Sequence, residues 1–405
     1  MRRVAWGLLL VFAFAIPWEY SLDLGEPLGN IARIAGVLLL LAAIPAVLQA
    51  GHLRTPGALQ WLVLALYLWF CCSYFWTIDP PATVVKMRGY FQEMMIVWLV
   101  WEFAESPNDL RALLRAYVAG SWVLAALTVA NFASPEANAA SQIRFAAEGQ
   151  DPNDVARFLV LGFPLAALLF SSERRLAGRL GALGYLPLGL FAVLLTASRE
   201  GFLAALAGLT GCSILLLRGR NRAMVAASFA LPAIAAVVWF AVPHETLQRL
   251  ATIPEQIQGG DLGQRENIWS AGWHAFAQAP LFGNGAGSFV SAAGLNPLDT
   301  AHNTVLSIAV GGGLCALFLA GGIVAMAVWS TVKTRGPLRL ALGTALLVWF
   351  IGLMAATAEE NRTTWLLLGL IALAGRLAVE EPAELATCFP DSGRTPAAGQ
   401  IPAAC

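Results

Sequence analysis

Apolar stretches of about twenty residues, recurring along most of the chain, constrain its fold more than any other feature. A stretch of that length crosses the hydrocarbon core as an α-helix, because in lipid every backbone N–H and C=O must find its partner inside the protein. With 58% apolar and 12% charged residues, the pattern predicts an all-α integral membrane protein of about twelve transmembrane helices. The spans read as 4–20, 31–50, 57–77, 83–103, 111–133, 155–171, 177–197, 200–217, 222–242, 303–330, 337–357 and 363–379. Four basic clusters orient them: Arg2 with Arg3; Arg174, Arg175 and Arg179; the turn from Arg218 to Arg222; and Lys333, Arg335 and Arg339. All four reach one side when both termini are cytoplasmic, as the positive-inside rule requires. Met1-Arg2-Arg3 and Ala13-Phe14-Ala15 also resemble a signal peptide, but Pro17 and Trp18 follow directly and the even span count works with the segment retained.

A second basic set falls on the opposite side. Lys86, Arg88, Arg144, Arg157, Arg199, Arg249, Arg265 and Arg362 lie in loops or at helix ends that this topology puts outside. Basic residues are normally kept out of translocated loops, so the set points to an anion bound at the outer face of the membrane. Ordinary pairing competes at each position. Arg265 can pair with Asp261 or Glu266, Arg199 with Glu200 or Glu359, and Glu93 with Lys86 or Arg88. The formal net charge is zero, so no nucleic acid or other polyanion follows from overall charge.

Two outer loops stand out by length, at about 134–154 and about 243–301, the latter between spans nine and ten. Within the larger, Gly263 to Gln278 reads as an interfacial helix with Ile268, Trp269, Gly272 and Phe276 on one face and Trp273 beside it. Pro280-Leu281-Phe282-Gly283-Asn284-Gly285-Ala286-Gly287 follows as a turn-rich segment whose glycines expose backbone amides, and the loop ends at His302. The shorter loop ends in Asp151-Pro152-Asn153-Asp154, where Asp151 or Asn153 can cap the next span. Asp79-Pro80-Pro81 reads as a turn before span four. Residues 1–380 form one membrane domain, and the Pro/Ala-rich tail 381–405 reads as disordered and cytoplasmic. The six cysteines show no spacing for a disulfide frame or zinc site. Neither a nucleotide-binding loop nor an Asp-rich metal motif is present, so neither metal nor cofactor is expected.

From Asp151-Pro152-Asn153 through the last span, the chain resembles the O-antigen ligases and the related O-antigen polymerases of bacterial inner membranes. The residues carrying the resemblance are Arg199-Glu200-Gly201-Phe202-Leu203, an Arg-x-x-x-Leu between two spans; Arg265 ahead of Trp269; Pro280-x-x-Gly-x-Gly; and His302 followed by ten residues and Gly313. Their order and spacing around the large outer loop are more specific than any one of them. The resemblance implies a GT-C-like membrane glycosyltransferase. It would move a glycan from undecaprenyl diphosphate to lipid A-core oligosaccharide at the periplasmic face, in lipopolysaccharide biosynthesis.

Chemistry leads the same way. Breaking a glycosyl bond to a lipid diphosphate releases a multiply charged anion, and guanidinium, always charged and bidentate toward phosphate, can stabilise it without a metal. Arg265 and Arg199 are the expected catalytic arginines; Lys86, Arg88, Arg144, Arg157 and Arg362 are expected to contact phosphate or glycan. His302, with a pKa near neutrality in its free form, is the expected base for the acceptor hydroxyl, and its alternative is a hydrogen bond at the helix start beside Thr300 and Asn303. Direct displacement with one base would invert the anomeric configuration. A polymerase is the nearest rival. A secondary transporter would be expected to show repeat symmetry and charges near the bilayer midplane.

Overall fold

The structure, a computed structural model, describes residues 1–25, 29–135, 143–218, 232, 235–236, 239–253, 265–297 and 299–390. Among them the regular elements are all helical: α1 (Arg2–Ala15, extended as a 3-10 turn over Ile16–Ser21), α2 (Ile31–Ala50), α3 (Ala58–Cys72, extended over Ser73–Phe75), α4 (Pro80–Phe103), α5 (Pro107–Phe132), α6 (Pro152–Ser172), α7 (Leu176–Leu195) and α8 (Arg199–Leu217). Three short or amphipathic helices follow, α9 (His244–Ala251), α10 (Arg265–Gln278) and α11 (Phe289–Ala293), then α12 (Thr304–Lys333), α13 (Gly336–Ala355), α14 (Arg362–Glu380) and α15 (Pro382–Cys388).

Ten of these helices are long and apolar enough to cross a membrane. α4 is not among them, because Lys86, Arg88, Glu93 and Glu102 interrupt its 24 residues. Eleven of the expected spans thus coincide with a helix, and the remaining one, 222–242, lies outside the described residues except for 232, 235–236 and 239–242. So do the turn beyond Arg218, the segment 254–264 with Asp261 and Gly263, and the tail beyond 390. Several helices begin earlier than the hydropathy pattern places them, at Pro80, Pro107 and Pro152, each in the first turn after a capping Asp79, Ser106 or Asp151. Proline suits that turn, and the cap supplies the missing acceptor. Asp79-Pro80 is therefore a helix start rather than a free turn. The tail also departs from expectation: Pro382–Cys388 forms α15, with Leu385 and Cys388 buried.

α6 and α14 are the most enclosed spans, with nearly every residue from Val155 to Phe170 and from Thr363 to Leu377 buried. Small residues permit this closeness: a Cβ on Gly162 of α6 would sit 2.6 Å from Tyr185 Oη of α7, and one on Gly375 of α14 would sit 2.6 Å from Ser330 Cβ of α12. The two enclosed helices begin at the same end of the bundle, and each brings an arginine there, Arg157 and Arg362. At the other end Arg2 pairs with Glu102 (3.1 Å) and Glu105 (2.7 Å).

Candidate active site

A cavity of about 770 Å³ opens at the end where α6 and α14 begin. Its cationic lining consists of Lys86 of α4, Arg157 of α6 and Arg265 at the start of α10, with His302 ahead of α12. Carboxylates line it as well: Asp151, Asp154, Asp299, Glu359 and Glu360. Glu359 and Glu360, on a 3-10 turn between α13 and α14, were missed as site residues by the sequence reading. The available signal was a polar run, Glu359-Glu360-Asn361-Arg362, between two apolar spans.

The roof of the cavity is built from a broken helix and a glycine loop. Gly313 (φ 66°, ψ −163°) interrupts α12 and releases the carbonyls before it. The loop 280–287 takes them up. Asn284 N–H donates to Val310 O (2.8 Å), Gly285 N–H to Gly311 O (3.0 Å), and Trp69 Nε1–H to Gly312 O (2.9 Å). In return Leu314 N–H donates to Pro280 O (2.8 Å). On its other side the loop is fixed to α3 and α4, where Ala286 N–H donates to Ser73 Oγ (3.0 Å) and Thr83 Oγ1 donates to Ala286 O (2.8 Å). The amides of Asn284, Gly285 and Ala286 are thus engaged inside the protein, a correction to the expectation that they are exposed. α10 packs onto the same roof, with Gly272 and Ala275 buried and Ile268, Trp269 and Phe276 against Phe289, Leu306 and Val310. Trp269 Nε1–H donates to Ala301 O (3.0 Å), holding the residue before His302.

This arrangement makes a stability prediction. A Cβ on Gly313 would lie 2.3 Å from Leu281 O, at a backbone conformation that L residues avoid, whereas one on Gly321 of the same helix meets nothing within 4 Å. Gly313→Ala should lower stability by about 2 kcal/mol or more, while Gly321→Ala should be near neutral. Thermal unfolding of the two variants in one detergent checks this; equal melting temperatures would refute the roof as described.

Two ionic clusters occupy the cavity. In the first, Arg157 pairs with Asp154 and, at 2.6 Å, with Glu200, while Arg265 stands 3.8 Å from Glu200 Oε2. Glu200 is buried and that oxygen has no hydrogen-bond donor, so Arg265 is attracted to it but not consumed by it. In the second, Lys86 pairs with Glu360 and lies 3.8 Å from Glu359. Burial raises the Glu359 carboxyl above the usual carboxylate range, partly opposed by Lys86. Burial and then the charge of Arg265 lower the His302 imidazole below its ordinary value, favouring the neutral form that can accept a proton. His302 adopts φ 47°, a region rare for non-glycine residues. The helix-start role falls to its neighbour, since the Asn303 side chain accepts from Leu306 N–H (3.0 Å).

The other expected site residues lie elsewhere. Arg199 Nε donates to Arg249 O (3.2 Å) and its second nitrogen to Thr252 Oγ1 (2.7 Å). Arg249 in turn donates to Ala197 O (3.3 Å), and Arg144 to Thr196 O (3.1 Å) and Asn153 Oδ1 (2.8 Å). These arginines occupy the carbonyl end of α7, where cations are favoured, and brace a junction in which Ala197 holds φ 49°. Burial, then repulsion from Arg249 and Arg199, lowers the pKa of Arg144. Arg362 pairs with the buried Glu19 and donates to Gln92 (3.1 Å), fastening the end of the first span to α14. Arg88 is exposed on α4. None of Arg88, Arg144, Arg199 and Arg362 lines the cavity. Glu93 is buried in α4 and carries no ion pair within 4.0 Å among the described residues. Among the described residues no three His, Cys, Asp or Glu side chains are grouped so as to hold a metal ion.

Residues 184–321, a stretch that holds Arg199, Arg265, the glycine loop, His302 and Gly313, match the family model described as O-antigen ligase. No curated protein matches the chain.

Proposed function

We propose, from the match of residues 184–321 to the O-antigen ligase family model, that this chain transfers O-antigen polysaccharide from undecaprenyl diphosphate to lipid A-core oligosaccharide at the periplasmic face of the bacterial inner membrane. The family acts within a ligase and polymerase superfamily on lipid-linked polysaccharide, and ten apolar helices make the chain a multi-pass membrane protein. The observation that carries the finer reading is the meeting of Arg265, Arg157, Lys86 and His302 in one cavity at one end of the bundle. With both termini cytoplasmic, that end is periplasmic.

In the proposed reaction an acceptor hydroxyl oxygen attacks the anomeric carbon as the bond from that carbon to the diphosphate oxygen breaks. The hydroxyl proton passes to His302, and the leaving diphosphate takes the bonding electron pair. Its charge is met by Arg265, whose guanidinium is held near the site with no hydrogen-bonded carboxylate among the described residues, and by Arg157. Lys86 supports the second ionic cluster, where Glu359 and Glu360 can accept hydrogen bonds from sugar hydroxyls. Arg199 and Arg144 act as positioning residues by fixing the junction before α8. Single displacement inverts the anomeric centre and needs neither metal nor cofactor.

Purified protein in lipid, given a diphosphate-linked glycan donor, should join glycan to lipid A-core in excess EDTA. Joining instead to a second lipid-linked glycan would identify a polymerase. A requirement for EDTA to be overcome by magnesium or manganese would overturn the metal-free mechanism.

A further inference from the structure

At the opposite end of the bundle a second groove, of about 690 Å³, lies between α5 and α7 over the end of α6. Four guanidiniums line it, Arg111, Arg115, Arg174 and Arg175, against one carboxylate, Glu173. Glu173 is committed to Arg115 Nε at 2.5 Å. Arg174 and Arg175 are exposed. Arg111 is 5% exposed, yet its Nε has no hydrogen-bond partner; its guanidinium donates to the Cys388 carbonyl of α15 and lies over Phe389, 5.4 Å from the ring centre. Among the described residues Arg111 has no carboxylate within ion-pairing distance, and a buried cation so placed is costly unless an anion joins it.

The remaining walls suit a lipid. Val118 and Trp122 of α5 and Leu169 of α6 continue the groove away from the arginines as an apolar channel. Its α7 wall is built from small residues, Ala177, Gly178, Gly181 and Ala182, and Trp122 Nε1–H donates to Gly181 O (2.9 Å), joining the two helices across the floor. The first turn of α7 lacks a side-chain cap, and its residues Ala177 and Gly178 face the groove, adding backbone donors to the arginine cluster. The positive-inside rule explains arginines in this loop, but not a buried, half-bonded Arg111 at the head of an apolar slot.

We propose that this groove is a binding site for an anionic glycerophospholipid, its phosphate held by Arg111, Arg174 and Arg175 and an acyl chain laid along Trp122 and Gly181. The site is separate from the cavity that holds His302, and it shares no residue with the proposed reaction.

Native mass spectrometry of the protein in mixed micelles with phosphatidylglycerol or phosphatidylethanolamine tests it. The protein should retain phosphatidylglycerol preferentially, and Arg174→Gln/Arg175→Gln should reduce that retention roughly tenfold or more. Gly181→Trp leaves every charge in place and fills the channel, since a Cβ at Gly181 meets nothing within 4 Å; it should also displace the lipid. Equal retention of the two lipids, unchanged retention in Gly181→Trp, or displacement by soluble glycerol phosphate at matched concentration would each overturn a phospholipid site.

Discussion

Arg265→Ala should lose on the order of 10²- to 10³-fold in transfer while the protein still accumulates in the membrane, since one donor aimed at developing charge carries about that much. The expectation rests on how Arg265 is held. Arg157 is bound by two carboxylates, whereas Arg265 approaches Glu200 only to 3.8 Å. Among the described residues its donors are therefore available to a diphosphate. Arg265→Lys should recover part of the loss, because the charge returns but the planar fork does not. Arg199→Ala should behave differently. Its bonds to Arg249 O and Thr252 Oγ1 brace the loop after α9, so it should lower melting temperature along with activity, whereas Arg265→Ala should leave melting unchanged. Near-normal turnover by Arg265→Ala in a reconstituted assay would remove this residue from the mechanism.

Most of the fold was legible in the sequence because a span announces itself by length and apolarity alone, and α2, α6 and α13 begin and end within a few residues of their expected limits. α4 was legible for the same reason, although Lys86, Arg88, Glu93 and Glu102 interrupt it. Helix starts were displaced because capping Asp and Ser residues and first-turn prolines precede the apolar run. The site was legible in part. His302 and Arg265 stand next to residues with a recognisable local signal, an interfacial Trp-rich helix and a span start, and both reach the cavity. Arg144, Arg199 and Arg362 carried the same outward-facing charge, but a one-dimensional pattern cannot say whether a guanidinium meets a ligand or a carbonyl. Here the carbonyls of Thr196 and Arg249 and the carboxylate of Glu19 took them. Gly313 and the glycines of 280–287 showed as separate motifs; that they form one hydrogen-bonded roof depends on contacts between residues some thirty positions apart and could be seen only in three dimensions.

His302→Asn isolates proton transfer from backbone geometry. The position has φ 47°, a region that asparagine tolerates better than most residues and alanine does not. The helix cap belongs to Asn303, so the Asn variant should fold as the parent does. It cannot act as a base near neutral pH, and turnover should drop on the order of 10²- to 10⁴-fold with donor binding retained. The pH profile gives a second test. His302 is a base only when neutral, so activity is lost as pH falls through its pKa, and burial with the Arg265 charge sets that pKa below the ordinary histidine value. The acid limb of kcat/KM should therefore lie below about pH 6.5. Removing the charge with Arg265→Gln should move the limb of the residual activity upward, whereas Arg265→Lys should leave it near its original place. An active His302→Asn enzyme, or an acid limb indifferent to the charge at 265, would leave His302 as a positioning residue and pass proton removal to a carboxylate of the same cavity, with Asp299 and Glu359 the two to test.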